Sequence, residues 1–159
     1  MYYMGIDPGF SGAIAVLDKD LALIHSQDMP IVTVGKKREL DEAALFKVCY
    51  RYSPTYEHLV VGIEKSQTMP GQGIASSGRY MASYGFLRGL CVGMGLSYVL
   101  IRPPTWKKVM LMDMPKEKGS SIVKVNQLYP DLQLTRKKDH GIADAILIAR
   151  YTASTYNVS

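Results

Sequence analysis

Three acidic residues stand where a folded chain normally excludes charge. Asp7 closes the apolar run YYMGID, directly before Pro8-Gly9. Glu64 closes a second apolar run, LVVGIE, and Asp144 lies inside the apolar stretch GIADAILIA. An unpaired carboxylate is costly at such places, so each needs a partner, a metal or water. Taken singly, each has an ordinary explanation: Asp-Pro-Gly is a common turn, and an acid can end a strand or sit near a helix start. All three together point further. Carboxylates gathered at one point repel one another, and hard divalent cations relieve that repulsion. Two such ions about 4 Å apart can activate a water and stabilise the leaving oxygen of a phosphodiester.

The elements that must hold these acids can be read from the pattern. Tyr2 to Asp7, Gly12 to Leu17 and Leu21 to His25 are short strands with short links, as in an antiparallel meander. Pro30 to Arg38 reads as an exposed basic loop. Asp41 caps a helix running to about Tyr52, and Leu59 to Glu64 is a strand buried on both faces. A Gly/Pro loop precedes a helix over Ser77 to Met94, whose Gly78, Gly85, Gly89 and Gly93 read as close packing on a sheet. Ser97 to Ile101 is a fifth strand, ended by Pro103-Pro104. Helices over Glu117 to Tyr129 and about His140 to Tyr151 complete an α/β domain with a mixed sheet. With the first strand central, Asp7 and Glu64 become neighbours, and a helix crossing that edge brings in Asp144.

Composition limits the remaining possibilities. The 159 residues fit a single domain, 1–159, and 47% hydrophobic content is enough for a core. No run reaches the roughly 20 apolar residues of a membrane span, and MYYMGIDPG lacks the pattern of a signal peptide. Cys49 and Cys91, without a CxxC or a nearby His, read as free buried thiols of a reducing cytoplasm. The net charge is +5, but Arg102 to Lys138 alone carries +6 and the remainder −1. A basic half on a near-neutral body suits a polyanion.

The chain resembles the RuvC-type Holliday-junction resolvases, in their phage-like branch, along almost its whole length. GIDPGFSGAIAVLD is similar to the first hairpin of that family, VGIEKSQT to its second acidic strand end and GRYMASYGFLRG to the next helix. RPPTWKKVML and KGSSIVKVNQLYPD resemble its basic segment and following helix, and KKDHGIADAILIARY its closing helix. The resemblance implies a ribonuclease-H-like, mixed five-stranded sheet flanked by helices. It also implies a homodimer without membrane attachment that nicks branched DNA, above all four-way junctions, in a bacterial or phage-infected cell. Mg²⁺ is the implied cofactor, two ions per site, with Mn²⁺ as substitute. Asp7, Glu64 and Asp144 match the metal-binding acids.

The fourth position departs from the common bacterial pattern of two acids three residues apart on the last helix, because Gly141 stands there. His140 and Asp139 are the alternatives. His140, four residues before Asp144, shares its face if the helix already includes it, as metal ligand or proton-transfer group. Asp139 reaches the site only from a cap position.

Lys107 and Lys108 sit in the segment that resembles family lysines beside the scissile phosphate, and one of them, with Lys107 the catalytic candidate, would stabilise developing charge. Lys65, Arg79, Lys116, Lys118, Lys124, Arg136, Lys137 and Lys138 are further candidate DNA contacts. Trp106 reads as packing. The loop Gln67-Thr68-Met69-Pro70 lacks the aromatic that relatives wedge into a junction, leaving Met69 as an apolar substitute. That departure favours, as an alternative, a relaxed nuclease for forks, flaps and other branched DNA. A sugar-kinase-type ATPase would need a second domain and an adenosine motif. A non-catalytic DNA binder would not need every candidate acid.

Overall fold

The computed structural model describes residues 1–53, 59–65 and 73–156. Seven strands and five helices follow one another as β1 (Tyr2–Asp7), β2 (Ala13–Asp18), β3 (Leu23–Asp28), β4 (Ile31–Val34), β5 (Lys37–Leu40), α1 (Glu42–Tyr52), β6 (Leu59–Glu64), α2 (Ile74–Gly93), β7 (Ser97–Ile101), α3 (Pro103–Met110), α4 (Ser120–Leu128) and α5 (His140–Tyr156). The main sheet runs β3-β2-β1-β6-β7. β1 is central, antiparallel to β2 and parallel to β6, which in turn is parallel to β7. The mixed five-stranded sheet expected from the sequence is therefore present.

Strand alternation sorts the side chains into two layers. Met4, Ile6, Val61 and Ile63 join Leu45, Cys49, Leu87 and Cys91 in a core between the sheet and helices α1 and α2. On the opposite face Ala13, Ala15 and Ile101 pack with Trp106, Val125, Ile142, Ala145 and Ile146 of α3, α4 and α5. Asp7 and Glu64 are out of phase with the first layer, so both belong to the α5 face. Cys49 and Cys91 are buried and unbridged, and among the described residues no helix is long and apolar enough to cross a membrane.

Helix α5 approaches the sheet at backbone distance. Gly5 and Gly62 are paired in register on β1 and β6. A Cβ on Gly5 would lie 2.0 Å from the Ala145 carbonyl oxygen and 2.5 Å from the Ala149 nitrogen, and one on Gly62 would lie 2.0 Å from Thr152 Oγ1. Asp7 and Glu64 follow these glycines by two residues each, which sets both beside the N-terminal turns of α5.

Several elements differ from their sequence-based expectation. Pro30 to Arg38 is not a loop: β4 and β5 form an exposed antiparallel hairpin around Gly35, whose φ is 63°. The hairpin base is held by Met29 N–H donating to the Gly12 carbonyl and Asp41 N–H to the Pro30 carbonyl. β3 starts at Leu23 rather than Leu21, because the Asp18 carboxylate accepts from the N–H groups of Asp20 and Ala22 and extends the turn. Pro103-Pro104 not only ends β7 but opens α3, where a missing N–H costs nothing. α4 begins at Ser120 because Gly119, at φ 108°, turns the chain into it. α2 begins at Ile74 and α5 continues to Tyr156. The α2 glycines do not pack on the sheet: beside Gly78, Gly85, Gly89 and Gly93 a Cβ would meet nothing within 4 Å.

Gly5→Ala is expected to cost more than about 3 kcal/mol, since backbone on both sides must move. A thermal or urea unfolding curve checks this; a shift in Tm of a degree or less would show that α5 can lift freely.

Candidate active site

Asp7 and Glu64 lie at the C-terminal ends of adjacent parallel strands, and Asp144 comes from the second turn of the helix above them. The three carboxylates form one electrostatic unit. Burial and the neighbouring Asp144 push Asp7 up to about 6, opposed by the Gly9 N–H, His140 and Lys107. Burial, Asp7 and Asp144 push Glu64 up to about 7, opposed by Trp106 and Lys107. Burial raises Asp144 too, against a hydrogen bond from Ser121 and the charges of Lys107 and His140. Lys107 thus acts on all three acids. Among the described residues each acid has an anchoring donor: Gly9 N–H to Asp7 Oδ1 at 3.3 Å, the Trp106 indole N–H to Glu64 Oε2 at 2.7 Å, and Ser121 to Asp144.

The donor chemistry fits a hard cation. Three half-buried carboxylates oppose one lysine and a histidine, and most of their oxygen lone pairs are unspent. Among the described residues, however, no three His, Cys, Asp or Glu side chains already close into a metal site. A cation would offset the burial that raises all three pKa values and the repulsion that adds to it at Asp7 and Glu64.

The fourth position resolves into two different environments. His140 is the first residue of α5 and is exposed. Its Nδ1 lies 3.1 Å from the Lys137 carbonyl, an atom that can only accept, so Nδ1 is the donor of that bond and Nε2 is left for other contacts. Asp139 is buried and turned into a cap. Its carboxylate accepts from the N–H groups of Thr135 and Arg136 and from Arg136 Nε. Gly141 cannot carry an acid in this arrangement, because its Cβ would stand 2.6 Å from the Ser11 carbonyl oxygen.

No protein-family model matches the sequence. The chloroplastic Holliday junction resolvase MOC1 of Chlamydomonas reinhardtii is 33% identical over 91 residues, a match spanning 56% of this chain but only 10% of that protein. The RuvC structure of Thermus thermophilus superposes with a TM-score of 0.70 at 18% identity, over 99% of this chain and 96% of that one. The chain has the RuvC fold. T. thermophilus RuvC in complex with a Holliday junction substrate superposes as well, with a TM-score of 0.73 at 17% identity over 100% of this chain and 96% of that one.

Within this RuvC fold the candidate DNA contacts are dispersed. Lys65 and Lys108 are exposed near Glu64 and Lys107 in the chain, and Lys116, Lys118 and Lys137 are exposed as well. Arg136 and Lys138 both reach Asp28 at the end of β3. Lys124 is paired with Asp113 and lines a hollow with Lys19 and Arg150 beside the β2–β3 turn, at the opposite end of β1 from Asp7. Arg79 lines a second hollow with Phe10 and the hairpin. Met69 lies outside the described residues. Sequence reasoning missed Ser121 and the Trp106 donor, neither of which has a spacing signal, and the hairpin cation Arg38, which stands 6.0 Å from the Phe10 ring.

Asp7 and Glu64 have folded pKa values above their unfolded ones, so they favour the folded state at low pH. That advantage is lost as pH rises from about 4 through 7. Without metal, Tm should fall over this interval. Asp7→Asn, which keeps the Gly9 contact, should raise Tm in EDTA at pH 8 by roughly 5 °C, from a gain on the order of 1–3 kcal/mol. Calorimetry at pH 5 and 8 is the check; a flat profile would contradict the buried cluster.

Proposed function

We propose that the chain is a Mg²⁺-dependent endodeoxyribonuclease that resolves four-way DNA junctions by paired nicks. The observation that carries this reading is the convergence of Asp7, Glu64 and Asp144, from three separate elements, on one site with Lys107. The RuvC fold supports it, since RuvC is described with a Holliday junction substrate and the similar MOC1 is a Holliday junction resolvase.

Asp7, Glu64 and Asp144 would hold the cations, which when bound supply an activated water and stabilise the departing oxygen. His140 offers Nε2 to take the proton of the attacking water. Lys107 places positive charge where the phosphate gains negative charge as one P–O bond forms and another breaks. Lys65, Lys108, Lys116, Lys118 and Lys137 supply salt-sensitive phosphate contacts.

Paired nicks need two sites, and a homodimer would provide them. The α2 surface favours this assembly: Ile74, Met81 and Val92 are exposed and share a stripe with Gly78, Gly85 and Gly89, where a twin helix can approach closely. Met81→Arg should therefore yield a monomer in sedimentation velocity and lose coordinated cleavage; an unchanged dimer would place the interface elsewhere.

A mobile junction, a fork, a flap and plain duplex, each incubated with and without Mg²⁺, test the activity. Symmetric nicks in the junction alone are expected, abolished by EDTA and by Asp7→Asn. His140→Ala should reduce turnover about 10²–10⁴-fold, and undiminished turnover would remove His140 from the mechanism. Comparable cutting of forks and flaps would favour the relaxed branched-DNA nuclease, a reading supported by the missing aromatic in Gln67-Thr68-Met69-Pro70. Tight junction binding without cleavage in Mg²⁺ or Mn²⁺ would refute both.

A further inference from the structure

Trp106 is the single tryptophan of the chain and is fully buried, among Ile101, Val125, Ile142 and Ile146. An indole in such a core carries one polar atom, and its N–H must find an acceptor. Here the acceptor is Glu64, at 2.7 Å, across a separation of 42 residues. The next residue, Lys107, holds its ammonium 5.2 Å from the centre of the same ring. The edge of one rigid side chain therefore meets a site acid while its face supports the site cation. The frame beneath it is fixed as well. Arg102, at the N-cap of α3, receives N–H groups from Thr105 and Trp106, and Lys65 N–H donates to the Ile101 carbonyl, tying the end of β6 to the strand that leads into α3.

We propose that Trp106 is a positioning residue for the cation site: its indole N–H fixes the Glu64 carboxylate through Oε2 and leaves Oε1 for the metal, and its ring keeps Lys107 over the acids. This rests on the reading of Glu64 as a metal ligand. A tryptophan that only filled space would present its N–H to a backbone carbonyl or to solvent. Here the donor is spent on a charged oxygen of the site, the kind of outer contact that orients ligands in metal sites.

Trp106→Phe keeps an aromatic ring and removes the donor. Mn²⁺ binding to the DNA-free protein, followed by loss of the free-ion EPR signal, should weaken about tenfold or more. The Mg²⁺ concentration for half-maximal junction cleavage should rise in step, with turnover largely recovered at saturating Mg²⁺. A lowered Tm with unchanged Mn²⁺ affinity and unchanged Mg²⁺ dependence would reduce Trp106 to packing and overturn the proposal. If Trp106→Phe does not fold, the indole ¹H–¹⁵N resonance decides. That resonance, a single peak in this chain, should move in Glu64→Gln and on titration of the wild type with Mg²⁺. A resonance indifferent to both would also overturn the proposal. The two readings fail separately. Wild-type protein that binds Mn²⁺ and cuts junctions, with an unaltered Trp106→Phe, refutes only the positioning role, whereas wild-type protein that binds no Mn²⁺ refutes the cation site itself and the positioning role with it.

Discussion

Helix α5 crosses the sheet with no layer of side chains between its backbone and that of β1 at Gly5, and with only the Thr152 hydroxyl between it and β6 at Gly62. This close seat is the constraint on which the site depends. A side chain at either glycine would lift the helix by the width of a methyl group or more, and Asp144 would leave the level of Asp7 and Glu64. The alanines that line the underside of α5, Ala145 and Ala149, serve the same end from the other partner. Helix position, and through it carboxylate spacing, is set by atoms that are absent as much as by those present.

The same seat makes the site electrostatically uncomfortable. Three acids are brought out of water into mutual repulsion, with a single lysine acting on all of them. Their anchors come from three different places: a turn amide, an indole and a hydroxyl at the start of α4. The side chains are therefore oriented by the protein itself, and the repulsion among them favours any positive charge brought to this point. Local destabilisation of this kind is usual where a fold stores binding capacity rather than rigidity.

The mixed sheet and the three acids were legible in the sequence because apolar runs ending in an acid leave a strong signal. The central place of β1 was only the condition under which Asp7 and Glu64 become neighbours, and the structure meets it. The parts that were not legible have physical reasons. The β4–β5 hairpin is exposed on both faces, so no alternation of polar and apolar residues marks it. Pro103-Pro104 carries two meanings, strand stop and helix start, and only the first was read. The α2 glycines can indicate a packed surface or an open one, and spacing alone does not distinguish them. Trp106 looked like packing because burial and hydrogen bonding leave the same trace in one letter. The environments of Asp139 and His140 differ through a capping arrangement that depends on Arg136, which no spacing in the sequence reveals.

Gly141 has a historical consequence. Its Cα rests against the Ser11–Gly12 backbone, so a carboxylate at position 141 and this seating of α5 exclude each other. No single substitution can move the chain between an acid at that place and a histidine one residue earlier. The turn at residues 9–12 and the start of the helix would have to change together, through intermediates poor in both arrangements. An acid at position 141 is therefore coupled to the shape of a loop that itself carries no candidate catalytic residue.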